Sequence, residues 1–73
     1  MVWEFALMNI TVNGEKIDCR DDASVMDLLK DLEIDINRVA VELNYNIIPK
    51  AQLMEKKVEE NDNLEIVTFV GGG

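Results

Sequence analysis

The chain has 73 residues, 48% of them hydrophobic, and its 15 acidic and 7 basic residues give a net charge of −8 at pH 7. This length predicts one small domain, and the hydrophobic content argues against a disordered chain. So negative a surface repels phosphate backbones and anionic lipid, which argues against nucleic acid and membranes as partners and favours a protein with a basic surface. The chain has no histidine and a single cysteine, Cys19, so no intrachain disulfide can form. We therefore expect a cytoplasmic location.

Residues 1–7 precede the first regular pattern, and we interpret them as an N-terminal extension of a domain that spans residues 8–70. The segment contains Glu4, lacks a basic start and is too short for a secretory signal. Alternation of Trp3, Phe5 and Leu7 leaves a longer first strand open as an alternative.

A hairpin is predicted to follow, with strands at 8–13 and 15–19. Asn13-Gly14 is the preferred pair for a two-residue type I′ turn, in which both residues need a positive φ. Ile17 and Cys19 share the inward parity of the return strand. Because no histidine exists to activate it, Cys19 is interpreted as a small core side chain rather than a nucleophile.

One short helix is predicted after a polar connection. Ser24 and Asp27 have the spacing of a capping box, in which each side chain bonds the backbone N–H of the other residue. The helix is expected to bury an apolar stripe against a sheet, since two turns are unstable alone. That stripe consists of Val25, Leu28, Leu29 and Leu32.

The second half of the chain contains further strand patterns. Residues 39–43 form a predicted third strand, with its odd-numbered residues inward, and a turn follows at 44–46. Ile47 and Ile48 form a brief predicted strand that Pro49 either ends or forces to an edge of the sheet. A short turn or 3₁₀ segment at 50–57 is expected to cover the core with Leu53.

The last predicted strand, residues 64–70, leads directly into Gly71, Gly72 and Gly73. A rigid strand that ends in a thin, flexible glycine tail can deliver its terminal carboxylate into a narrow site on another protein. A hairpin, a helix and returning strands predict an α+β domain, in which a mixed sheet of four to five strands packs on one main helix. With the final strand placed centrally beside the first, this is the order of the β-grasp fold known from ubiquitin.

Several segments resemble the thiamine-biosynthesis sulfur-carrier family, ThiS. The resemblance covers nearly everything from Met8 onward, and the glycine-ended strand is its most specific part. Two turns depart from the family pattern: Tyr45 stands where glycine is frequent, and Asn61-Asp62-Asn63 replaces a glycine-aspartate turn. The segments that carry the resemblance are Met8–Gly14, Val39–Asn44, Ile48–Lys50 and Leu64–Gly73.

The resemblance implies a sulfur-transfer cycle in which this chain is a co-substrate and not an enzyme. An adenylating, E1-like partner uses ATP and magnesium to activate the carboxylate of Gly73, and the chain itself binds no cofactor. Sulfur from a cysteine-derived persulfide donor then displaces AMP and leaves a thiocarboxylate. Thiazole synthase takes that sulfur into the thiazole ring of thiamine.

Three alternatives remain at this point. The small subunit of molybdopterin synthase has a similar fold and tail, but its usual aromatic-alanine-arginine-leucine run is replaced here by Asn9-Ile10-Thr11-Val12. A ubiquitin-like modifier would form isopeptide bonds through Gly73. A plain interaction domain would carry the glycines incidentally, and fold alone does not choose among these functions.

Strand parity also predicts a docking face. If Glu65 faces water, Leu64 and Ile66 face the helix, while Val67 and Phe69 share the wet face with Glu65. Glu42 marks the outer face of the third strand in the same way and places Ala40 beside it. We expect Ala40, Val67 and Phe69 to form an exposed apolar patch bordered by Glu42 and Glu65.

Overall fold

A computed structural model describes residues 6–69, which form a five-stranded sheet packed on one main helix. The strand order is β2-β1-β5-β3-β4, with β1 and β5 parallel and the other neighbours antiparallel. This mixed sheet, with the final strand beside the first, is the predicted architecture. The elements are β1 (Leu7–Val12), β2 (Glu15–Arg20), α1 (Val25–Asp31), a 3₁₀ turn (Ile36–Arg38), β3 (Val39–Leu43), β4 (Asn46–Ile47), a second 3₁₀ turn (Lys50–Gln52) and β5 (Asn63–Thr68).

The first hairpin has the predicted turn. Asn13 and Gly14 have φ values of 49° and 85°, and Val12 pairs with Glu15 across a two-residue loop. The strand β1 begins at Leu7, one residue before the expected start, because Leu7 pairs with Arg20. Residues 1–5 of the predicted extension lie outside the described residues.

The start of α1 is the predicted capping box. The Ser24 hydroxyl accepts a hydrogen bond from the backbone N–H of Asp27, and the Asp27 carboxylate accepts one from the backbone N–H of Ser24, each over 3.0 Å. The hydrogen bond from the Ser24 backbone N–H, and after it the Ser24 side chain, lower the pKa of the Asp27 carboxyl.

The predicted apolar stripe of α1 is wrong at its last member. Val25, Leu28 and Leu29 are buried, but Leu32 is 40% exposed. The helix ends at Asp31 in a Schellman motif: Glu33 takes a φ of 59°, its N–H bonds the Lys30 carbonyl, and the N–H of Ile34 bonds the Leu29 carbonyl. This reversal turns Ile34, instead of Leu32, onto the core.

The core lies between α1 and one face of the sheet. The inward residues of β3 and the predicted cover residue Leu53 are all buried, and so is Cys19. Val58 is also buried, which the sequence pattern does not indicate, because its N–H bonds the Ala23 carbonyl and draws residues 56–58 against the start of the helix. The buried apolar residues are Ile10, Cys19, Ala23, Val25, Leu28, Leu29, Val39, Val41, Leu43, Leu53, Val58 and Leu64.

The turn between β3 and β4 is tied to the start of β5. Asn44 and Tyr45 both have positive φ, 50° and 71°, and the Asn44 side chain donates to Asp62 Oδ1 over 3.0 Å. The other oxygen of Asp62, which is buried, accepts from the N–H of Glu59 over 2.7 Å. The predicted charged turn at 59–63 is therefore an ordered polar junction. The brief strand predicted at 47–48 is shifted by one residue, because β4 covers Asn46–Ile47.

Candidate docking face

The five predicted docking residues lie on one face of the sheet, opposite the helix. Antiparallel pairing of β3 with β5 puts Ala40 opposite Val67 and Glu42 opposite Glu65. Phe69 continues this register beyond the end of β5, since its N–H donates to the Arg38 carbonyl over 2.8 Å. We call these five residues, Ala40, Glu42, Glu65, Val67 and Phe69, the docking face.

The two largest apolar side chains of the docking face are open to solvent. Val67 is 50% exposed and Phe69 is 57% exposed, whereas Leu64 on the same strand is fully buried. The alternation follows from the strand geometry, because successive side chains point to opposite sides of a sheet. The side chains on one face of β5 are therefore directed at the core, and those on the other face are directed at solvent.

Ile47 extends this apolar surface and was not predicted to do so. It is 72% exposed, and it pairs with Glu42 on the neighbouring strand β3. Opposed residues in an antiparallel pair point to the same face, so Ile47 lies on the outer side of the sheet with Glu42. The sequence signal was the two-residue turn at 44–45: Asn46 follows it directly and pairs with Leu43, so Ile47, the next residue, takes the opposite face.

A groove of about 240 Å³ opens beside Phe69. It lies along the first residues of β3, which precede the part of β3 that pairs with β4. The groove is mostly apolar in its lining residues, with Lys50 as the charged one. The Lys50 ammonium donates to the side-chain oxygen of Asn37 over 3.2 Å. Residues of the lining include Ile36, Ala40, Ile48, Pro49, Lys50 and Phe69.

Within the described residues, neither a metal-binding group nor an activated cysteine is found. Among residues 6–69, no group of three side chains from histidine, cysteine, aspartate and glutamate is placed to hold a metal ion. Burial raises the pKa of the Cys19 thiol, with Asp31 as the next contribution, so the thiolate that a nucleophile requires is disfavoured. That no cofactor binds to this chain stays a prediction.

No helix within residues 6–69 has both the length and the apolar character needed to cross a membrane. The predicted modified residue Gly73 and the tail residues Gly71 and Gly72 lie outside the described residues. The last hydrogen bond described before them is the one from Phe69 to Arg38, four positions ahead of Gly73.

A mixed sheet in this order around one main helix defines a ubiquitin-like β-grasp domain, here with an exposed apolar face next to its C-terminal end. The sequence pattern of the ThiS family matches residues 6–73. The chain belongs to the ThiS family.

Three known proteins illustrate this relationship. The chain is 35% identical over 65 residues to the sulfur carrier protein ThiS of Bacillus subtilis, which covers 88% of this chain and 98% of that one. A crystal structure of the thiamine biosynthesis protein ThiS from Geobacter metallireducens matches with a TM-score of 0.77 and 33% identity, covering 90% of this chain and all of the other. A thiazole synthase of Paramagnetospirillum magneticum is 41% identical over 66 residues, 90% of this chain, and the chain spans only 20% of that protein's length.

Proposed function

We propose that this chain is a sulfur carrier of thiamine biosynthesis, and that the carboxylate of Gly73 is the group that carries the sulfur. In an adenylating enzyme with magnesium, this carboxylate attacks the α-phosphate of ATP, and pyrophosphate leaves. A persulfide derived from cysteine then attacks the acyl carbon and displaces AMP, and a thiol reductant cleaves the acyl disulfide to leave the thiocarboxylate. The thiocarboxylate donates its sulfur in the reaction of thiazole synthase. The chain is the substrate of each step and supplies none of the catalytic groups.

The observation that carries the proposal is the position of β5. It lies between β1 and β3, its first inward residue Leu64 is fully buried, and the chain runs from its end to Gly73 in five residues after Thr68. A strand anchored in this way gives the terminal glycines a defined starting point. Glycines without side chains suit a narrow channel, since the backbone itself can approach a ligand closely.

The choice of chemistry follows from what a carboxylate can do. A free carboxylate is a poor acyl donor because its charge and resonance disfavour attack at carbon. Adenylation removes the charge and installs a good leaving group, so a sulfur nucleophile can replace AMP. Family membership supports this route, and so does the segment similar to this chain within a protein named thiazole synthase.

The docking face is proposed to contact both partners. Its apolar centre supplies the kind of aromatic and aliphatic surface that dominates binding energy, and its acidic border suits a basic partner. A cytoplasmic location for these encounters stays a prediction from the lone cysteine.

The proposal is tested by intact mass measurement. The chain is incubated with the adenylating enzyme, ATP, magnesium and a cysteine-dependent sulfur source. The expected product is heavier by the difference between one sulfur and one oxygen atom, and that mass disappears when thiazole synthase and its substrates are added. Two matched controls, a chain lacking Gly73 and a chain extended beyond it, should give no thiocarboxylate.

Other outcomes separate the rival functions. Normal thiocarboxylate formation on the extended chain would overturn the assignment to Gly73. A chain linked to lysines of other proteins would identify a modifier, and sulfur passed only to a molybdopterin precursor would identify the synthase subunit. No change in mass under any condition would leave the chain as an interaction domain and contradict the proposal.

A further inference from the structure

Asn13 connects the first hairpin to the strand that leads to the tail. The backbone pairing of β1 with β5 is short, with Thr11 opposite Asn63 and Val12 opposite Leu64. The chain then turns away into β2, whereas β5 continues to Thr68. The half of β5 nearest the tail therefore extends past the end of its neighbour on this side.

The Asn13 side chain occupies the place where β1 would have continued. The backbone N–H of Asn13 still donates to the Leu64 carbonyl, over 2.9 Å. Its side-chain oxygen accepts from the N–H of Ile66 over 2.7 Å, and its side-chain nitrogen donates to the Ile66 carbonyl over 3.3 Å. A carboxamide carries both a donor and an acceptor, as a peptide unit does, so Asn13 extends the β1–β5 ladder by one more rung.

Turn chemistry explains only part of this arrangement. The positive φ of Asn13, 49°, is a conformation that glycine and aspartate also adopt in such turns. Neither residue offers a neutral donor and acceptor together, and the two bonds to Ile66 join positions 53 residues apart. These bonds therefore require an explanation beyond the turn.

We propose that Asn13 is a positioning residue for the transfer reaction: it holds the end of β5 and so defines where the chain starts toward Gly73. The inference rests on the proposed function, since it concerns delivery of the same carboxylate. On its other side, the end of β5 is held by β3 through the Ala40–Val67 pair and the bond from Phe69 to Arg38. Without the Asn13 amide, this end of the strand is held on one side only.

Loss of the amide should loosen the end of β5, because strand ends open more easily than strand centres. Opening back to Ile66 increases the distance along the chain from the last anchored residue to Gly73 from four to seven positions. The effective concentration of a tethered group falls as about the −3/2 power of the length of the tether, which here gives a roughly twofold loss. Val67 and Phe69 would also lose their fixed places on the docking face, so we expect kcat/KM for adenylation to fall about two- to tenfold.

Asn44 provides a matched control at the opposite end of β5. It also has a positive φ in a two-residue turn, and its side chain also makes two hydrogen bonds, to Asp62 and to the N–H of Asn63. Glycine accepts the turn conformation at both positions. Asn13→Gly and Asn44→Gly therefore remove the same type of interaction, near the tail in one case and far from it in the other.

The experiment compares both variants with the unaltered chain at a temperature where all three are folded. Amide hydrogen exchange at Ile66 and Thr68 is measured by NMR, and kcat/KM is measured with the adenylating enzyme. Asn13→Gly should speed exchange at Ile66 and lower kcat/KM, while Asn44→Gly should leave kcat/KM unchanged even if it lowers the melting temperature more. Asn13→Asp, which keeps the acceptor for the Ile66 N–H, should recover part of the loss.

Two results would overturn the inference. Equal kcat/KM for Asn13→Gly and the unaltered chain, or equal losses in both glycine variants, would mean that Asn13 acts on stability alone. Absence of adenylation in the unaltered chain would instead refute the proposed function and this inference with it. Because the unaltered chain is measured in the same series, the two failures are distinguishable.

Discussion

Glu42 and Glu65 lie directly opposite each other on β3 and β5, on the outer face of the sheet. Like charges at directly opposed positions destabilise a sheet. The pair borders the exposed side chains of Val67 and Ile47, so the repulsion lies within the apolar surface that we assign to docking. A basic group of a partner placed between the two carboxylates would relieve it.

Replacing Glu65 with glutamine should therefore raise stability and weaken binding at the same time. Removing the repulsion is expected to increase the free energy of unfolding by about 0.2–1 kcal/mol in urea denaturation. Affinity for the adenylating enzyme, measured by titration at low salt, should fall. Asp18→Asn makes the same change of net charge on the outer side of β2, and equal weakening by both variants would show that only total charge matters.

Phe69→Ala should weaken binding to both the adenylating enzyme and thiazole synthase by roughly tenfold or more if Phe69 is a hot spot. The melting temperature should scarcely change, because more than half of the side chain is exposed. Met54, which is 70% exposed and lies outside the docking face, provides the control variant Met54→Ala, for which we expect full affinity. Unchanged affinity of Phe69→Ala for both partners would exclude the docking role.

Leu29→Ala should destabilise the domain by about 2–5 kcal/mol, since it leaves a cavity beneath the centre of α1. Leu29 has no exposed surface, whereas Leu32 is partly open to solvent beyond the helix end. Leu32→Ala should consequently cost less than about 1 kcal/mol. Denaturant melts compare the two, and similar losses would contradict the position of the helix end.

Asp27→Asn should make stability less dependent on pH in acid. Hydrogen bonds from Ser24 lower the pKa of Asp27 in the folded chain below its ordinary value of 3.8. The carboxylate therefore adds stability above the unfolded pKa, and this contribution is lost as pH falls through the lower, folded pKa. Melts from pH 7 downward should show the unaltered chain as more stable near neutrality, with the difference disappearing in strong acid. A difference that grows on acidification would contradict the sign.

Tyr45→Gly should stabilise the domain. Tyr45 has a φ of 71°, a left-handed conformation that costs a residue with a Cβ about 1–2 kcal/mol. The greater freedom of glycine in the unfolded chain offsets roughly 0.4–1 kcal/mol of that gain. We expect a net increase of about 0.5 kcal/mol in the free energy of unfolding. Tyr45→Ala keeps the strain and removes a side chain that is largely exposed, so it should bring no increase.

The local features of this protein were readable from its sequence because they depend on neighbouring residues. The Asn13-Gly14 turn requires two positive φ values, and the Ser24 and Asp27 side chains each accept from the backbone N–H of the other residue within one helical turn. The face on which each side chain of β5 lies depends only on the alternation of side chains along a strand. These short-range rules predicted the hairpin, the helix start and the faces of Val67 and Phe69.

Other features depend on contacts between distant parts of the chain. The residues 59–63 read as a charged turn, yet Asp62 is buried because Asn44, 18 positions earlier, is folded against it. The exposure of Ile47 on the outer face depends on its pairing with Glu42. The hydrogen bonds between Asn13 and Ile66 form only because the pairing of β1 with β5 ends before β5 does.

The amino-acid sequence by itself determined the turns, the cap, the order of the elements and the resemblance to the ThiS family. The tertiary structure decided where α1 ends its contact with the core, since a left-handed Glu33 turns Ile34 inward in place of Leu32. It also decided that a side chain of the first hairpin hydrogen-bonds the backbone of the last strand. Hydrophobic periodicity records which residues prefer burial, but it carries no information on which distant polar groups will be brought within bonding distance.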